Sequence, residues 1–257
     1  MIRKITTAVF LILSLAGCTS STSSTQENSP PPRRELTSET EKNYAETQFA
    51  VYDPAETMNR HIYKFNAELD TYVLLPIVDA YKYVTPAFVR RGVTNFFLNV
   101  GEATNFTNAV FQIKPDKAAK TLGRFVVNTT VGLAGTFDVA TDMGIERQPE
   151  DFGETLGYWG AGSGAYIVLP ILGPSNVRDT LGTFVDYATL YVVIPNSVKD
   201  TTAYDVVAYG IEPINQRYNN NFRYFSTGSP FEYELVRYIV TQSRTQEIKK
   251  QRDDRTP

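Results

Sequence analysis

Apolar and polar residues recur with helical spacing from Tyr52 onward. The apolar face of the first predicted helix carries Met58, Ile62, Phe65, Leu69 and Tyr72. A neighbouring stripe carries Asn59, Tyr63, Asn66 and Asp70. Residues three, four and seven positions apart share one face of a helix, so the pattern predicts an amphipathic helix. It should start with Asp53-Pro54 as N-cap and first residue and run to about Leu75, where Pro76 interrupts it.

Prolines, glycines and capping residues divide the rest of the chain into further helices. The predicted helices lie at about 76–84, 86–112, 115–131, 176–184, 204–218 and 230–240. Gly132 and Gly135 end the third of these, and the run 165–170 between Gly and Pro is expected to be extended. The polar residues 241–257 are expected to fray. The pattern therefore predicts an all-α fold with one short Gly/Pro-rich irregular or extended segment.

The amino terminus has the features of a lipoprotein signal. Arg3 and Lys4 precede an apolar run that is too short to span a bilayer permanently, and Leu15-Ala16-Gly17-Cys18 follows like a bacterial lipobox. Cys18 is the only cysteine of the chain and stands where a diacylglycerol would be attached. The alternative is an ordinary signal peptide that happens to contain a cysteine. Thr19 is not the Asp that usually retains a lipoprotein in the inner membrane, which favours the outer membrane.

The sequence predicts four segments. Residues 1–17 are the expected signal peptide, and residues 18–43 are an acylated Cys18 with a Ser-, Thr- and Pro-rich disordered tether. Residues 44–228 form a helical domain, and residues 229–257 a C-terminal helix with a polar tail. Between Glu154 and Arg178, and again between Asp186 and Lys199, the chain carries no charge. Composition favours a buried core for this region; helices half sunk in lipid are the alternative.

Composition excludes several kinds of chemistry. With one His and one Cys among 257 residues, sites that need two imidazoles, thiolate metal ligands or a disulfide framework are excluded. The net charge of -3 gives no general electrostatic reason to bind nucleic acid. No nucleophile motif surrounds a serine, and His61 lies beside Arg60. We therefore expect no enzyme, no metal and no cofactor other than the lipid on Cys18.

Uncharged polar residues lie next to apolar ones on two predicted helices. Asn95 and Asn99 share a helical face with Glu102, and Asn59 and Asn66 lie on the first helix. Buried amides need hydrogen-bond partners, so these residues could join helices within a core. The alternative is a wetted passage for a phosphate headgroup, because neutral amides neither trap nor exclude an ionic group.

Three segments resemble the MlaA (VacJ) family of outer-membrane lipoproteins. They are Asp53–Arg60 with Tyr63, Phe65 and Asn66; Gly123–Gly135; and Asp151–Gly160 with the Gly, Pro and Arg residues up to Asp179. They occur in the family's order after a lipobox and cover roughly residues 53–218. Thr57-Met58 departs from the family pattern, which usually has Gly and an aromatic residue there.

The resemblance implies a ring-like single domain of amphipathic helices in the outer membrane, anchored by lipid on its periplasmic side. Such proteins remove phospholipids misplaced in the outer leaflet and pass them to a periplasmic carrier, MlaC, and they associate with trimeric porins. An alternative is a structural, porin-associated lipoprotein without transport activity. Under the transport hypothesis, the candidates for the channel lining are Asn59, Tyr63, Asn66, Asn95 and Asn99. Gly132 and Gly135 are candidates for a bend at the channel mouth or, alternatively, for a helix C-cap.

Overall fold

A computed structural model describes residues 50–253. The predicted signal peptide, Cys18 and the tether lie outside the described residues, as does the start of the predicted helical domain at residue 44. The segment boundaries proposed from the sequence therefore stay predictions at the amino-terminal end.

The first helices are continuous through a widened turn. Helix α1 spans Glu56–Leu69, a π-helical turn spans Asp70–Leu74, and α2 spans Leu75–Val84. The predicted interruption at Pro76 is wrong, because the π turn precedes the proline in the first turn of α2 and continues the helical path. The predicted start at Asp53-Pro54 is also wrong.

Helix α1 begins two residues after Pro54, because Asp53 has other partners than an N-terminal N–H group. The Asp53 carboxylate accepts hydrogen bonds from Asn59 Nδ2 at 2.7 Å and from the Tyr233 hydroxyl at 2.6 Å. It also pairs with Arg237 at 3.0 Å. The Asp53 side chain thus does not cap α1, and instead joins the start of the domain to the last helix of the chain.

Two long helices pack against each other in the middle of the chain. Helix α3 spans Ala87–Phe111 and α4 spans Pro115–Thr130, which confirms the boundaries predicted from Pro86 and Pro115. The short α5, Val139–Asp142, is capped by Asp138, whose carboxylate accepts a hydrogen bond from Thr141 N.

A small hairpin follows the next helix. Helix α6 spans Phe152–Tyr158 and starts with a complete capping box formed by Asp151 and Glu154. Strands β1, Tyr166–Leu169, and β2, Gly173–Asn176, pair antiparallel, with Tyr166 opposite Asn176. The extended segment predicted at residues 165–170 is confirmed.

The remaining helices complete an all-α fold with one two-stranded sheet, as predicted. Asn176 caps α7 by accepting a hydrogen bond from Asp179 N. The other elements are α7 (Val177–Val193), α8 (Asn196–Lys199), α9 (Thr202–Val206), a second π turn (Val207–Ile211), α10 (Glu212–Asn219) and α11 (Glu232–Asp253). The second π turn again precedes a proline, Pro213, in the first turn of the next helix.

The last helix does not fray after residue 240. Arg244 on α11 bonds the carboxylates of Asp151 at 2.6 Å and Asp179 at 2.9 Å. Ile248 is buried and contacts the surface of α6 at Gly157. The polar sequence of α11 is therefore ordered by ion pairs to α6 and α7, which the residues of α11 alone do not reveal.

The interior contains few apolar side chains. The apolar cluster comprises Tyr63, Tyr166, Val168 and Tyr233, where α1, the hairpin and α11 meet. Among the described residues, polar and charged side chains outnumber apolar ones in the buried set. On α7, Phe184 is 66% exposed and Val192 is 80% exposed. The predicted buried core is therefore wrong for α7, which turns its apolar residues outward.

Candidate functional site

The two faces of α1 are inverted relative to a helix on a water-soluble protein. Asn59, Tyr63 and Asn66 are at most 3% exposed, whereas Met58 and Phe65 are 53% and 51% exposed. A helix on a soluble domain normally turns its apolar face to the core. The same inversion on α1 and α7 indicates that the apolar exterior contacts something other than water.

The buried asparagines of α1 hold the edge of the hairpin. Asn59 Nδ2 donates to the Tyr166 carbonyl at 3.1 Å, and its Oδ1 accepts from Val168 N at 2.9 Å. Two turns later, Asn66 Nδ2 donates to the Leu169 carbonyl at 2.9 Å, and its Oδ1 accepts from the backbone N–H two residues beyond Leu169 at 2.8 Å. Each amide thus uses both its donor and its acceptor on the hairpin backbone.

Tyr63 lies between these asparagines in the apolar cluster. Its ring packs edge-on against Tyr233, with centroids 5.6 Å apart, and its hydroxyl donates to Glu232 at 3.0 Å. Asn59, Tyr63 and Asn66 thus have the partners expected of the alternative in which amides join elements within a core. Their participation in the lining of a passage stays a prediction.

Asn95 and Asn99 lie elsewhere, on α3 against the turn that follows α4. Asn95 Nδ2 donates to the Thr136 carbonyl at 3.1 Å, and Asn99 Nδ2 donates to the Thr129 hydroxyl at 2.9 Å. Asn99 is buried, and its Oδ1 has no hydrogen-bond partner among the described residues. The structure therefore brings together Asn95, Asn99, Gly132 and Gly135, but separates them from the candidates on α1.

The turn after α4 has an unusual backbone. Leu133, Ala134 and Gly135 have φ angles of 51°, 57° and 86°, three successive residues in the left-handed region. Such conformations are strained for residues other than glycine and often occur at functional sites. Backbone hydrogen bonds hold the turn, including Gly135 N to the Asn128 carbonyl at 2.8 Å.

Both predicted glycines are required by close approach. A Cβ on Gly135 would lie 2.5 Å from Asn99 Cβ, and one on Gly132 would lie 2.3 Å from the Phe137 carbonyl oxygen. The glycines therefore end α4 and let the turn pack directly on α3. A bending motion at this turn stays a prediction.

An open cavity of about 510 Å³ lies between the first half of α3, this turn and the second π turn. Its volume is within the range of small-molecule sites. Its walls are mainly apolar, and its polar lining groups belong to Arg91, Asn95 and Thr136. The apolar walls comprise Phe88, Val89, Val93, Phe96, Phe97, Phe137, Val207 and Ile211. The cavity therefore offers apolar surface with a few polar groups.

A buried ion cluster supports the elements around this cavity. Arg124 on α4 pairs with Glu102 on α3 at 3.0 Å and with Asp138 after the turn at 2.9 Å. Burial lowers the pKa of Arg124, but its bonds to these two carboxylates outweigh that effect and raise its pKa overall. Asp138 thus acts both as a helix cap and as an ion-pair partner.

Residues 50–253 contain no group of three His, Cys, Asp or Glu side chains suited to a metal ion. None of the described helices combines the length and apolar composition needed to cross a bilayer. Exposed apolar side chains occur on several helices, among them α1, α3 and α7.

Comparison with known proteins assigns the family. The sequence profile of the MlaA lipoprotein family matches residues 51–247. The chain belongs to this family. An uncharacterized protein of Rickettsia felis is 36% identical over 168 residues, which are 65% of this chain and 66% of that relative. The chain thus spans slightly under two thirds of the length of that relative.

A named relative and a solved structure agree with the MlaA assignment. The intermembrane phospholipid transport system lipoprotein MlaA of Haemophilus influenzae is 34% identical over 172 residues, covering 65% of this chain and 67% of that protein. A structure solved to explain the maintenance of bacterial outer membrane lipid asymmetry matches with a TM-score of 0.60. It is 29% identical in sequence, and the match covers 76% of this chain and 98% of the other.

The structure gives each MlaA-like segment a position. The first, Asp53–Arg60, supplies Asp53 and Asn59, which bind α11 and the hairpin. The second, Gly123–Gly135, forms much of α4 and the left-handed turn. The third, Asp151–Gly160, forms α6 and the capping box. Sequence reasoning missed Arg91 and the cavity, because the cavity's walls come from segments that are distant in sequence.

Proposed function

We propose that this chain is an outer-membrane lipoprotein that removes mislocalised phospholipids from the outer leaflet and hands them to a periplasmic carrier, so maintaining lipid asymmetry. The observation that carries the proposal is the inverted burial of its helices, with amides and ions inside and apolar side chains outside. The phospholipid-transport name of the Haemophilus influenzae relative supports the same function.

The inverted burial is explained if lipid covers the exterior. Exposure of apolar surface to water is unfavourable, and α7 exposes Leu181, Phe184, Tyr191 and Val192. Hydrocarbon removes that cost, while Tyr suits the interface between hydrocarbon and headgroups. In this proposal the helices form a ring that lies within one leaflet, which requires no membrane-spanning helix.

The cavity beside α3 supports a two-sided path for an amphiphile. A headgroup crosses hydrocarbon only at high cost, and acyl chains are equally unsuited to water. The phenylalanines of the cavity would contact the acyl chains, and Asn95 and Thr136 would contact polar atoms near the headgroup. This proposal places the passage at the Asn95–Asn99 side rather than at the hairpin.

The remaining components of the proposal concern attachment and partners. Cys18 would carry the diacylglycerol that holds the protein on the periplasmic side of the outer membrane. MlaC would be the periplasmic carrier and a trimeric porin the membrane partner, as the family resemblance implies. Transport through the chain itself would need no nucleotide, so the direction of transport would come from the carrier and the machinery beyond it.

A reconstituted transfer assay tests the function. Purified acylated protein in donor vesicles should deliver labelled phospholipid to added MlaC, and vesicles without the protein should not. Absence of transfer with folded protein would overturn the proposal and favour a structural, porin-associated role. Analysis of the same lipids for lysophospholipid or free fatty acid would detect an enzyme instead, because transport leaves the lipid intact.

A second experiment tests the apolar exterior directly. In the acylated full chain, Phe184→Cys on α7 and Gln242→Cys on α11 would each carry a polarity-sensitive fluorophore. A quencher on acyl chains should quench the label at residue 184 strongly and the label at residue 242 weakly, because residue 242 lies on a polar helix. Equal quenching at the two positions would contradict immersion of α7.

A further inference from the structure

The cavity beside α3 has one full charge in its lining. Arg91 contributes that charge, while aromatic and aliphatic side chains form most of the surrounding surface. Arg91 is exposed, and among residues 50–253 no carboxylate or carbonyl oxygen pairs with its guanidinium group. A cation next to an apolar cavity is the chemistry required by an amphiphile with an anionic group.

The neighbouring Arg90, in contrast, has a structural role. Arg90 Nη1 donates to the Lys82 carbonyl at 2.9 Å and also bonds the Thr85 carbonyl. Its guanidinium carbon lies 5.4 Å from the centre of the Tyr218 ring. Arg90 thus joins the end of α2 to α3 and α10, whereas Arg91 makes none of these contacts.

Helix stability does not account for Arg91 either. Arg91 is the fifth residue of α3, which begins at Ala87. The helix dipole favours cations at the carboxyl end of a helix, so an arginine near the amino end gains nothing from it. No acidic residue lies in the first turn of α3 to compensate. The guanidinium group of Arg91 is therefore available to a partner from outside the chain.

We infer that Arg91 binds the phosphate of a phospholipid whose acyl chain occupies the cavity lined by Phe96, Phe97 and Phe137. The planar guanidinium presents paired N–H donors that fit phosphate oxygens, and the charge strengthens those hydrogen bonds. The inference rests on the proposed phospholipid function and adds to it the group that recognises the headgroup. It makes Arg91 a specificity-determining residue for lipids that contain phosphate.

Paired lipids with identical acyl chains test the inference. Binding of a fluorescent phosphatidylglycerol and of the matching diacylglycerol, which lacks phosphate, would be measured on the purified acylated protein. The wild type should prefer the phospholipid by about tenfold, the difference expected for one charge-assisted contact. Arg91→Gln should reduce this preference to about onefold, and Arg91→Lys should restore part of it.

Controls separate this contact from general charge and from free phosphate. Lys120 is an exposed cation on α4 outside the cavity, so Lys120→Gln should keep the full preference. Inorganic phosphate at millimolar concentration should not displace the phospholipid, because it has no acyl chain to fill the cavity. Displacement by phosphate alone would overturn the inference in favour of an anion site.

The outcomes distinguish this inference from the proposed function. If Arg91→Gln keeps the phospholipid preference while transfer to the carrier proceeds normally, the role of Arg91 is wrong and the transport function stands. If wild-type protein binds phospholipid in the predicted way but transfers none to the carrier, the headgroup contact stands and the transport function is wrong.

Discussion

Asparagines pack against a reversal of the chain in two regions, the hairpin and the turn after α4. Their side-chain hydrogen bonding differs between the two. At the hairpin, Asn59 and Asn66 bond backbone donors and acceptors with both ends of each amide. At the turn after α4, Asn99 uses its amide nitrogen, but its buried Oδ1 has no partner among the described residues. The asparagine side chains are therefore fully hydrogen-bonded at the hairpin, whereas at the turn Asn99 is hydrogen-bonded only through its amide nitrogen.

The difference indicates a division between stability and function. The hairpin region combines the fully hydrogen-bonded amides of Asn59 and Asn66 with the apolar cluster around Tyr63, in which the buried Tyr166 hydroxyl has no partner among the described residues. At the turn, three successive left-handed residues and the unpartnered Asn99 oxygen lie beside an open cavity, whereas the left-handed Ile171 and the unpartnered Tyr166 hydroxyl of the hairpin do not line that cavity. Strained backbone residues cluster at functional sites, so the combination of strain with an open cavity favours the turn as the functional region.

Replacement of Asn59 should have the largest effect on stability. Asn59→Leu leaves the Tyr166 carbonyl and Val168 N without partners in a buried place, which should cost about 3 kcal/mol or more of the free energy of unfolding. Denaturant unfolding followed by circular dichroism measures this change. If Asn59→Leu folds as stably as the wild type, the hairpin is not held by this amide and the comparison fails.

Gly135→Ala should have the next largest effect. It places a left-handed alanine at φ 86° and brings its Cβ to 2.5 Å from Asn99 Cβ. Gly144 is the matched control, because its φ is 81° but no atom lies within 4 Å of a Cβ there. Gly144→Ala should cost about 1 kcal/mol from backbone strain alone.

The excess of Gly135→Ala over Gly144→Ala isolates the packing of the turn on α3. We expect that excess to be at least about 1 kcal/mol, because the clash forces the turn away from the helix. Thermal unfolding of both variants measures it. Equal losses of stability in the two variants would show that the turn can move away from Asn99 without a cost in free energy. A bending motion at this turn requires such freedom.

Glu154→Gln should change how stability depends on pH. Burial, and then the charge of Asp151, raise the pKa of Glu154 from 4.5 to about 7 despite the nearby Arg244. Between pH 4.5 and 7 the folded protein keeps a proton that the unfolded chain has lost, so the free energy of unfolding falls as pH rises through this range.

Glutamine imitates the protonated side chain, so the Glu154→Gln variant should lose that slope, a change of about 2 to 3 kcal/mol in the free energy of unfolding across the range. Melting temperatures from about pH 5 to about pH 8 measure it. Glu247 pairs with the same Arg244 at 3.3 Å but is more exposed, so Glu247→Gln should keep the wild-type slope. An unchanged slope in Glu154→Gln would assign the pH dependence to other carboxylates.

Local sequence signals predicted most helix starts, because proline and capping residues act on their own neighbourhood. Pro115 and Asn176 mark the starts of α4 and α7 as predicted. The local signals failed at Pro76, where a π turn accommodates the proline. They also failed along α11, where Arg244 pairs with carboxylates that are distant in sequence. Periodicity located the polar stripe of α1 but not its direction, because inward and outward faces have the same spacing.

The candidate site was only partly accessible to the same reasoning. Asn95, Asn99, Gly132 and Gly135 were selected from the sequence, and the structure brings them together. The cavity that Asn95 lines was missed, since Arg91, Phe137 and Val207 meet only through long-range packing.

Asn95→Leu should have the smallest effect on stability and a clear effect on transport. Asn95 is partly exposed and makes one side-chain hydrogen bond, to the Thr136 carbonyl, so its loss should change the free energy of unfolding by no more than about 1 kcal/mol. Its amide borders the cavity, so phospholipid transfer to the carrier should fall several-fold. Transfer rate divided by the amount of folded protein measures the effect.

Asn59→Leu supplies the matched control, because it introduces the same side chain at the hairpin. In Asn59→Leu, transfer should fall in proportion to the amount of folded protein. In Asn95→Leu, transfer should fall by more than the amount of folded protein does. If transfer per folded molecule falls equally in both variants, the hairpin asparagine also contributes to the passage, and the division between a stabilising and a transporting region is wrong. If Asn95→Leu transfers lipid at the wild-type rate, the path does not pass this amide, because leucine cannot replace its polar contact with a headgroup.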